Sequence, residues 1–459
     1  MAKKSQRARV ALRQRRCIRI RIRIGRVSVY EHHGAWWLYY RDDDKVVRRR
    51  IGHDQATAEK LASEVNGQLA IEAPTPFAFN PISIKDLRDR FLDHHETVLR
   101  SSLATVSRYR SATQHLVDYV ESLSSKPKAH EISAAKFMVF LRQREVSPNG
   151  HHNTARRKLK DKGLRFVLEV CRSMYAYAAK HQHLPPYAAN PFADLNIDRL
   201  RVMDAKPVFV FTEATALAFL RAADAWAFSI HATLALTGMR PGELGHLLIE
   251  DLDFATCWLR VCNKTELGWQ IKTRNERRIP LIPELCELLR GVIGTRRTGL
   301  VFVRREFGSL ATHRPELSRR TMTALLQERV QQLGEKRLER VAQQRAAQGV
   351  WRDVGLVDAD KMRCSFIRIA GRVDLPDATC PKSWRHSFAT LLQDANVDPL
   401  IRQITLGHQP QGSEGALGMT TVYTHTRPET QAREIERAWR TWPSVLSLIA
   451  DRAKGGAAC

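Results

Sequence analysis

Hydrophobic positions change period several times along the chain, and each change predicts an element. From Ile18 to Ile24 isoleucine alternates with Arg19, Arg21 and Arg23, the two-residue period of a strand with one apolar and one cationic face. Three further strand-like runs follow, Val27–Tyr30, Ala35–Tyr40 and Val46–Ile51, broken at His33-Gly34 and Asp42-Asp43-Asp44, and Ala56–Leu69 reads as an amphipathic helix. Pro74, Pro76 and Pro81 make a linker, because proline at that density continues neither helix nor central strand. From Ser83 to about His181 the spacing turns helical. Ser83 with Asp86 starts a first helix carrying Ile84, Leu87 and Phe91; Val106, Tyr109, Ala112, Leu116, Val120 and Leu123 mark a second, and Phe137–Leu141 a third. A fourth is expected from near Thr154, opening with Arg156, Arg157, Lys158, Lys160, Lys162 and Arg165 before its apolar stripe of Val167, Val170, Cys171, Met174 and Tyr177.

Pro185-Pro186, Asn190-Pro191 and Pro207 form a second break. Beyond it Thr212 caps a helix from Glu213 to Ala222, Asp224 caps another from Ala225 to Leu236, and Gly238 stops the latter. Asp253–Cys262 and Trp269–Leu281 read as a β-ribbon, Glu284 onwards as helix, and Arg314–Gln348 as long, mostly exposed helices. The fold class that follows is multidomain and mainly α with small β elements (α+β), divided as 1–73, 82–184 and 207–459: a small N-terminal β-sheet plus helix, a helical bundle, and a mixed domain of helices and β-ribbon.

Charge narrows the function. Among 459 residues, 74 Lys and Arg oppose 48 Asp and Glu, a formal net charge of +26, and the first 26 residues hold eleven Lys or Arg and no acid. A surplus of that size makes nucleic acid the first candidate partner, against the blander reading of a merely soluble basic protein. The Arg156–Arg165 run fits either a DNA backbone or a solvated charged face. No apolar run approaches the roughly 18 residues of a membrane span, and no secretory leader is evident, so no membrane partner and a cytoplasmic, nucleoid-associated location are expected. Eight scattered cysteines lack a C-x-x-C pair, and adjacent histidines such as His32-His33, His94-His95 and His151-His152 cannot face one site; neither metal nor cofactor is expected.

Three segments of the last domain carry the chemistry: Thr237-Gly238-Met239-Arg240-Pro241-Gly242-Glu243-Leu244; Lys382-Ser383-Trp384-Arg385-His386-Ser387-Phe388-Ala389-Thr390 with Leu406-Gly407-His408; and Thr420-Thr421-Val422-Tyr423-Thr424-His425. Cutting a phosphodiester with a side-chain nucleophile needs cations on the pentavalent transition state, a donor for the leaving oxygen and an in-line nucleophile. Arginine suits the first task, since its planar fork spans two phosphate oxygens and stays charged. Arg240 and Arg385 are the candidates, with a structural Arg240–Glu243 ion pair as the alternative and Glu243 read as an anchor.

With these segments in this order and a lysine-bearing ribbon between the first two, the chain resembles the tyrosine recombinases, the phage integrase family of site-specific DNA recombinases, over Pro207 to about Arg440. The bundle before it resembles that family's core-binding domain, and residues 1–73 the arm-type DNA-binding domains that many integrases add. The resemblance implies DNA cleavage and rejoining through a 3′-phosphotyrosine, without metal or ATP, to integrate or excise a mobile element. It implies Tyr423 as nucleophile, His408 as a hydrogen-bond donor to the phosphate and a buttress of the site, Lys272 as general acid for the departing 5′-hydroxyl, and Lys382 where the family commonly has His. Lys264 and Arg274 compete with Lys272. A phenolate at neutral pH costs about 4 kcal/mol, which surrounding cations offset. Implied partners are double-stranded DNA at core and arm-type sites, contacted by Arg19, Arg21, Arg23, Arg156, Arg157, Lys158, Lys160 and Arg165, a homotetramer on DNA, and an accessory bending or directionality factor.

Two departures stand out. Lys382 accepts a proton poorly unless its pKa is depressed. The gap from His408 to Tyr423 is longer than the family's, which bears on cleavage in cis or in trans, and roughly forty residues are inserted between Lys272 and Arg385, an insertion that loops tolerate cheaply. The apolar tail Val445, Leu446, Leu448 and Ile449 packs either on its own domain or on a neighbouring protomer. A type IB topoisomerase and a catalytically inactive DNA-binding regulator remain the alternatives.

Overall fold

The alternation of isoleucine and arginine becomes an edge strand. The computed structural model describes residues 18–42, 45–147, 155–203, 207–307, 316–407 and 426–456. In it β1 (Ile18–Ile24), β2 (Val27–His32), β3 (Ala35–Asp42) and β4 (Lys45–Gly52) form an antiparallel sheet in sequence order. Asp54 then caps α1 (Gln55–Ala70) by accepting from the Thr57 N–H. Ala58, Ala62, Val65 and Leu69 of α1 pack on Val27, Val29, Trp36, Leu38 and Tyr40. The strand period sends Arg21 and Arg23 to the other face, where Arg21 pairs in register with Tyr30 and Tyr30 with Trp37.

The chain divides into two compact units, Met1–Lys206 and Pro207–Cys459. The first also holds a bundle of α2 (Ile84–Asp93), α3 (Leu103–Ser122), α4 (Ala134–Gln143) and α5 (Asp161–Lys180), closed on Leu87, Phe91, Leu116, Phe137, Leu168 and Met174. Here the structure corrects the sequence reading. Helix α5 begins at Asp161, not near Thr154: Arg157 and Lys158 form strand β6, which pairs with β5 (Glu145–Val146), and Lys160 is the N-cap. The physical reason is the helix dipole, which disfavours a cluster of cations in a first turn and favours Asp161 there. Thr154 itself lies outside the described residues.

The second unit is built on α6 (Glu213–Arg221), α7 (Ala225–Thr237) and α8 (Pro241–Gly245), followed by a small sheet of β7 (Leu252–Asp253), β8 (Trp258–Val261) and β9 (Arg277–Pro280). Then come α9 (Pro283–Ile293), α10 (Arg319–Gln332), α11 (Arg340–Asp353), α12 (Ala359–Arg372), α13 (Lys382–Asp394), α14 (Pro399–Leu406), α15 (Pro428–Trp439) and α16 (Pro443–Gly456). Helix α7 is buried almost all round, which matches its uninterrupted apolar composition, and forms the centre of the main core with Phe219, Phe366, Trp384 and Phe388. Helices α10 and α11 pair around a separate cluster of Met322, Leu326, Val350, Trp351 and Val354, which also takes in Leu248, Leu267 and Leu300. Val445, Leu446 and Ile449 of α16 are buried in the main core, so the apolar tail packs on its own domain. The ribbon is shorter than its sequence suggested. Of Trp269–Leu281 only Arg277–Pro280 is strand, because Arg274 turns through φ +59° and the segment before it pairs with side chains instead of a strand.

Candidate active site

Helix α7 ends where its sequence stops it. Gly238 adopts φ +61°, and a Cβ there would lie 2.5 Å from Cδ1 of Phe388 on α13, so only glycine lets the two helices meet. That approach brings the first and second segments together. Arg385, one turn into α13 and 6% exposed, donates from Nη1 to the Gly238 carbonyl (2.7 Å) and from Nη2 to the Leu406 carbonyl (2.5 Å) at the end of α14. Burial foremost, then the charges of Arg240 and Arg277, push the Arg385 guanidinium down to about 9, so it remains a cation at neutral pH.

Glu243 is the hub beside it. Its carboxylate accepts from the Arg240 backbone N–H (2.9 Å) and Nη1 (2.8 Å), and from Arg277 Nη2 (2.6 Å) and Nη1 (3.3 Å). Burial alone would raise its pKa; the Arg277 and Arg240 hydrogen bonds and the Arg277 charge win and hold it below the ordinary carboxylate value. The Arg240–Glu243 ion pair therefore exists, but it does not use up Arg240: that side chain is 23% exposed against 3% for Glu243.

Arg277 is the residue that sequence reasoning passed over. It is 4% exposed, and besides Glu243 it donates from Nε to the Thr405 carbonyl (2.9 Å). Gly407, at φ +67°, leaves room for it, since a Cβ there would sit 2.8 Å from Arg277 Cδ. The signal was present: Arg277 shares a strand face with Ile279, a charge where an apolar side chain belongs, and a buried charge implies a partner. On the far side of residues 408–425, Gln431 of α15 donates to Thr405 Oγ1 (2.9 Å), so the chain leaving α14 and the chain entering α15 are fastened to each other beside Arg277.

The remaining candidates divide. Lys382 is exposed at the first position of α13. His386 next to Arg385 is held below the ordinary histidine value by burial, then by Lys382 and Arg385. Lys272 is exposed in a turn ahead of β9, whereas Lys264 is 2% exposed and tied to Asp251 at 2.8 Å beneath the Trp269 ring, a structural ion pair. Arg274 is exposed. His408 and Tyr423 lie outside the described residues, as does the side chain of Arg19. Arg21 donates to Ser28 Oγ (3.2 Å) and Arg23 to the Gly25 carbonyl (3.2 Å); Arg156, Arg157, Lys158 and Lys160 are exposed; Arg165 is engaged by Glu169 at 2.9 Å and Asp198 at 3.5 Å. Among the described residues no helix is long and apolar enough to cross a membrane, and no group of three His, Cys, Asp or Glu is placed to hold a metal.

Among solved structures, the chain is similar to the Tn1549 transposon integrase in complex with a circular intermediate DNA, at 17% identity and a TM-score of 0.48 over 78% of this chain and 99% of that one. It is also similar to a lambda integrase dimer bound to a COC′ core site, at 16% identity and 0.41 over 83% and 91%, and to an integrase from mycobacterium phage Brujita, at 15% and 0.34 over 77% and 92%. No curated protein matches the chain significantly. Residues 210–344, which span Arg240, Glu243, Lys264, Lys272 and Arg277, match the phage integrase family model. Over that segment of the second unit the chain is similar to the phage integrase family, the tyrosine recombinases.

Proposed function

We propose that the protein is a site-specific DNA recombinase that integrates or excises a mobile element through a 3′-phosphotyrosine intermediate. The single observation that supports this reading is the pair of guanidiniums at the end of α7: Arg385 on the Gly238 carbonyl and Arg240 on Glu243, near enough that the Arg240 charge helps lower the Arg385 pKa, as a phosphate site would need. Tyr423 Oη bonds to phosphorus as the P–O5′ bond breaks, the phenol proton passes to solvent, and Lys272 gives its own proton to the departing 5′-oxygen. Arg240, Arg385, His408 and Lys382 donate to the non-bridging oxygens, stabilising the charge that accumulates there. Attack of a partner strand's 5′-hydroxyl on the phosphotyrosine reverses the step, so bond energy is conserved and neither ATP nor a metal enters the balance.

Exchange between two duplexes breaks four strands, and one tyrosine per protomer then calls for four protomers on DNA. The charge of +26 supports double-stranded DNA as partner. Residues 1–73 and 82–184 are assigned as arm-type and core-binding modules, with Arg19, Arg21, Arg23, Arg156, Arg157, Lys158, Lys160 and Arg165 on phosphates, and an accessory bending or directionality factor completes the assembly.

The test uses nicked DNA spanning the gene's own flanks, which traps cleavage. Wild type should give an SDS-resistant protein–DNA adduct mapping to Tyr423, and Tyr423→Phe should bind without forming one. Binding without an adduct by both proteins would instead favour a regulator.

A further inference from the structure

The Lys272 turn is held by side chains. The β8–β9 ladder ends at the Val261–Arg277 pair, so the backbone of residues 262–276 must find partners elsewhere. Asn263 supplies two of them. Its Oδ1 accepts from the Ile271 N–H (2.9 Å) and its Nδ2 donates to the Arg274 carbonyl (3.0 Å), which clamps both ends of Ile271-Lys272-Thr273-Arg274. The Arg274 N–H donates to the Ile271 carbonyl (2.9 Å) and closes the turn.

Asn263 is in turn gripped from helices α10 and α11. Arg319, the first residue of α10, donates from Nη2 to the Asn263 carbonyl (3.1 Å), ion-pairs with Glu266 and reaches Cys262 Sγ at 3.8 Å. From α11, Trp351 Nε1 donates to the Leu267 carbonyl (2.9 Å). Gly268, at φ +68°, lets α11 close in, since a Cβ there would lie 2.6 Å from Ala347 Cβ. The contacts of this hairpin with the ribbon thus include Cys262, Asn263, Glu266, Leu267, Gly268 and Trp269, and of these Asn263 hydrogen-bonds both ends of the Lys272 turn.

We propose that the α10–α11 hairpin positions Lys272 through Arg319 and Asn263. This rests on the reading of Lys272 as the group that protonates the leaving 5′-oxygen. Arg319 and Asn263 are positioning residues: they touch no reacting atom, but they set where the Lys272 backbone leaves the ribbon, and a misplacement of about 1 Å can cost on the order of 100-fold in rate.

The test compares single-turnover cleavage of two DNAs that differ only in the bridging atom, oxygen or sulfur, at the 5′ side of the scissile phosphate. A thiolate departs without a proton, so loss or misplacement of the acid slows only the oxygen substrate. Asn263→Ala and Arg319→Gln should cleave the oxygen DNA about 10- to 100-fold more slowly than wild type and the sulfur DNA within about threefold of it. Arg319→Lys, which keeps the charge without the fork, guards against a folding defect and should be intermediate on oxygen alone. Equal slowing on both substrates, or none on either, overturns the proposal. Lys272→Ala serves as reference. If sulfur rescues Lys272→Ala while Asn263→Ala is unaffected on oxygen, the positioning proposal fails alone; if sulfur does not rescue Lys272→Ala, the general-acid reading fails and takes the proposal with it.

Discussion

Replacing Arg277 by alanine removes one of the two cations on the Glu243 carboxylate and the donor on the Thr405 carbonyl. Breaking a buried pair by removing one partner typically costs about 3–5 kcal/mol, and the surviving Arg240 contact points to the lower end. Arg277→Ala should therefore lower the urea midpoint of tryptophan fluorescence, by an amount that corresponds to about 3 kcal/mol of unfolding free energy, in a transition that reports mainly on the second unit because seven of the nine tryptophans lie there. An unchanged midpoint would mean that Glu243 is held by Arg240 alone. His231 acts on the same unit through pH. It is fully buried among Phe219 and Phe366, neither ring nitrogen has a hydrogen-bond partner among the described residues, and burial pushes its pKa down to about 3. His246, at about 4, is displaced the same way, again chiefly by burial. The unfolded chain takes up a proton below about 6.5 that the folded histidine refuses, so stability is complete above that value and falls as pH drops toward the folded pKa. Each histidine should contribute a slope of about 1.4 kcal/mol per pH unit between roughly pH 6 and pH 4. His231→Phe, which suits its aromatic neighbours, should flatten the slope of the urea midpoint by one histidine's share; an unaltered slope would show that His231 is protonated in the fold.

At the scale of elements, what was legible depended on whether a local rule decided the outcome. Capping did so: Ser83, Thr212 and Asp224 each accept from the backbone N–H three residues on, and Gly238 ends α7 in the left-handed region, all as their spacing implied. Strand alternation likewise located β1 to β4. The start of α5 was misplaced because the apolar period runs on through Leu159 and gives no sign that Arg157 and Lys158 pair with Glu145 and Val146, a contact between segments that sequence spacing does not encode. The ribbon was overdrawn for a related reason. Ile271–Glu276 alternates like a strand, yet Asn263 offers its backbone an amide in place of a partner strand, and only the fold brings Asn263 there. In the site, Arg240 and Arg385 were readable as motif residues. Arg277 was not, because its importance lies in reaching Glu243 across 34 positions and Thr405 across 128. The helices α10 and α11 were visible as exposed and charged, but the inward grip of Arg319 and Trp351 on residues 262–268 belongs to tertiary packing alone.

At the scale of the whole molecule, residues 18–70 and residues 82–197 close separate apolar clusters within the first unit, and the residues proposed to act on DNA phosphate, Arg240, Lys272 and Arg385, lie in the second. A module with its own core can be removed without opening another, provided the cut spares the bonds that belong to the neighbour. Asn80 marks that limit: its N–H donates to the Gln182 carbonyl and its carbonyl contacts His183 Nδ1 at 3.1 Å, so it fastens the end of the helical bundle. Deleting residues 1–73 keeps Asn80 and removes the sheet with its cationic face, including Arg21 and Arg23. If residues 1–73 form an arm-type DNA-binding module, the truncated protein should still form the Tyr423 adduct on nicked core-site DNA at a rate within a few-fold of wild type, because Arg240, Arg385 and Lys272 are untouched. Its recombination of a full-length site should fall much further, since neutralised phosphates contribute most of the affinity that a basic module adds. The salt dependence separates this from mere loss of stability: wild-type binding to the full site should weaken more steeply with salt than binding by the truncated protein, whose log–log slope should be smaller by about 0.9 for each phosphate that the removed module had neutralised. Equal slopes together with equal recombination would remove the arm-type assignment, and leave the Arg-lined sheet face without a DNA role.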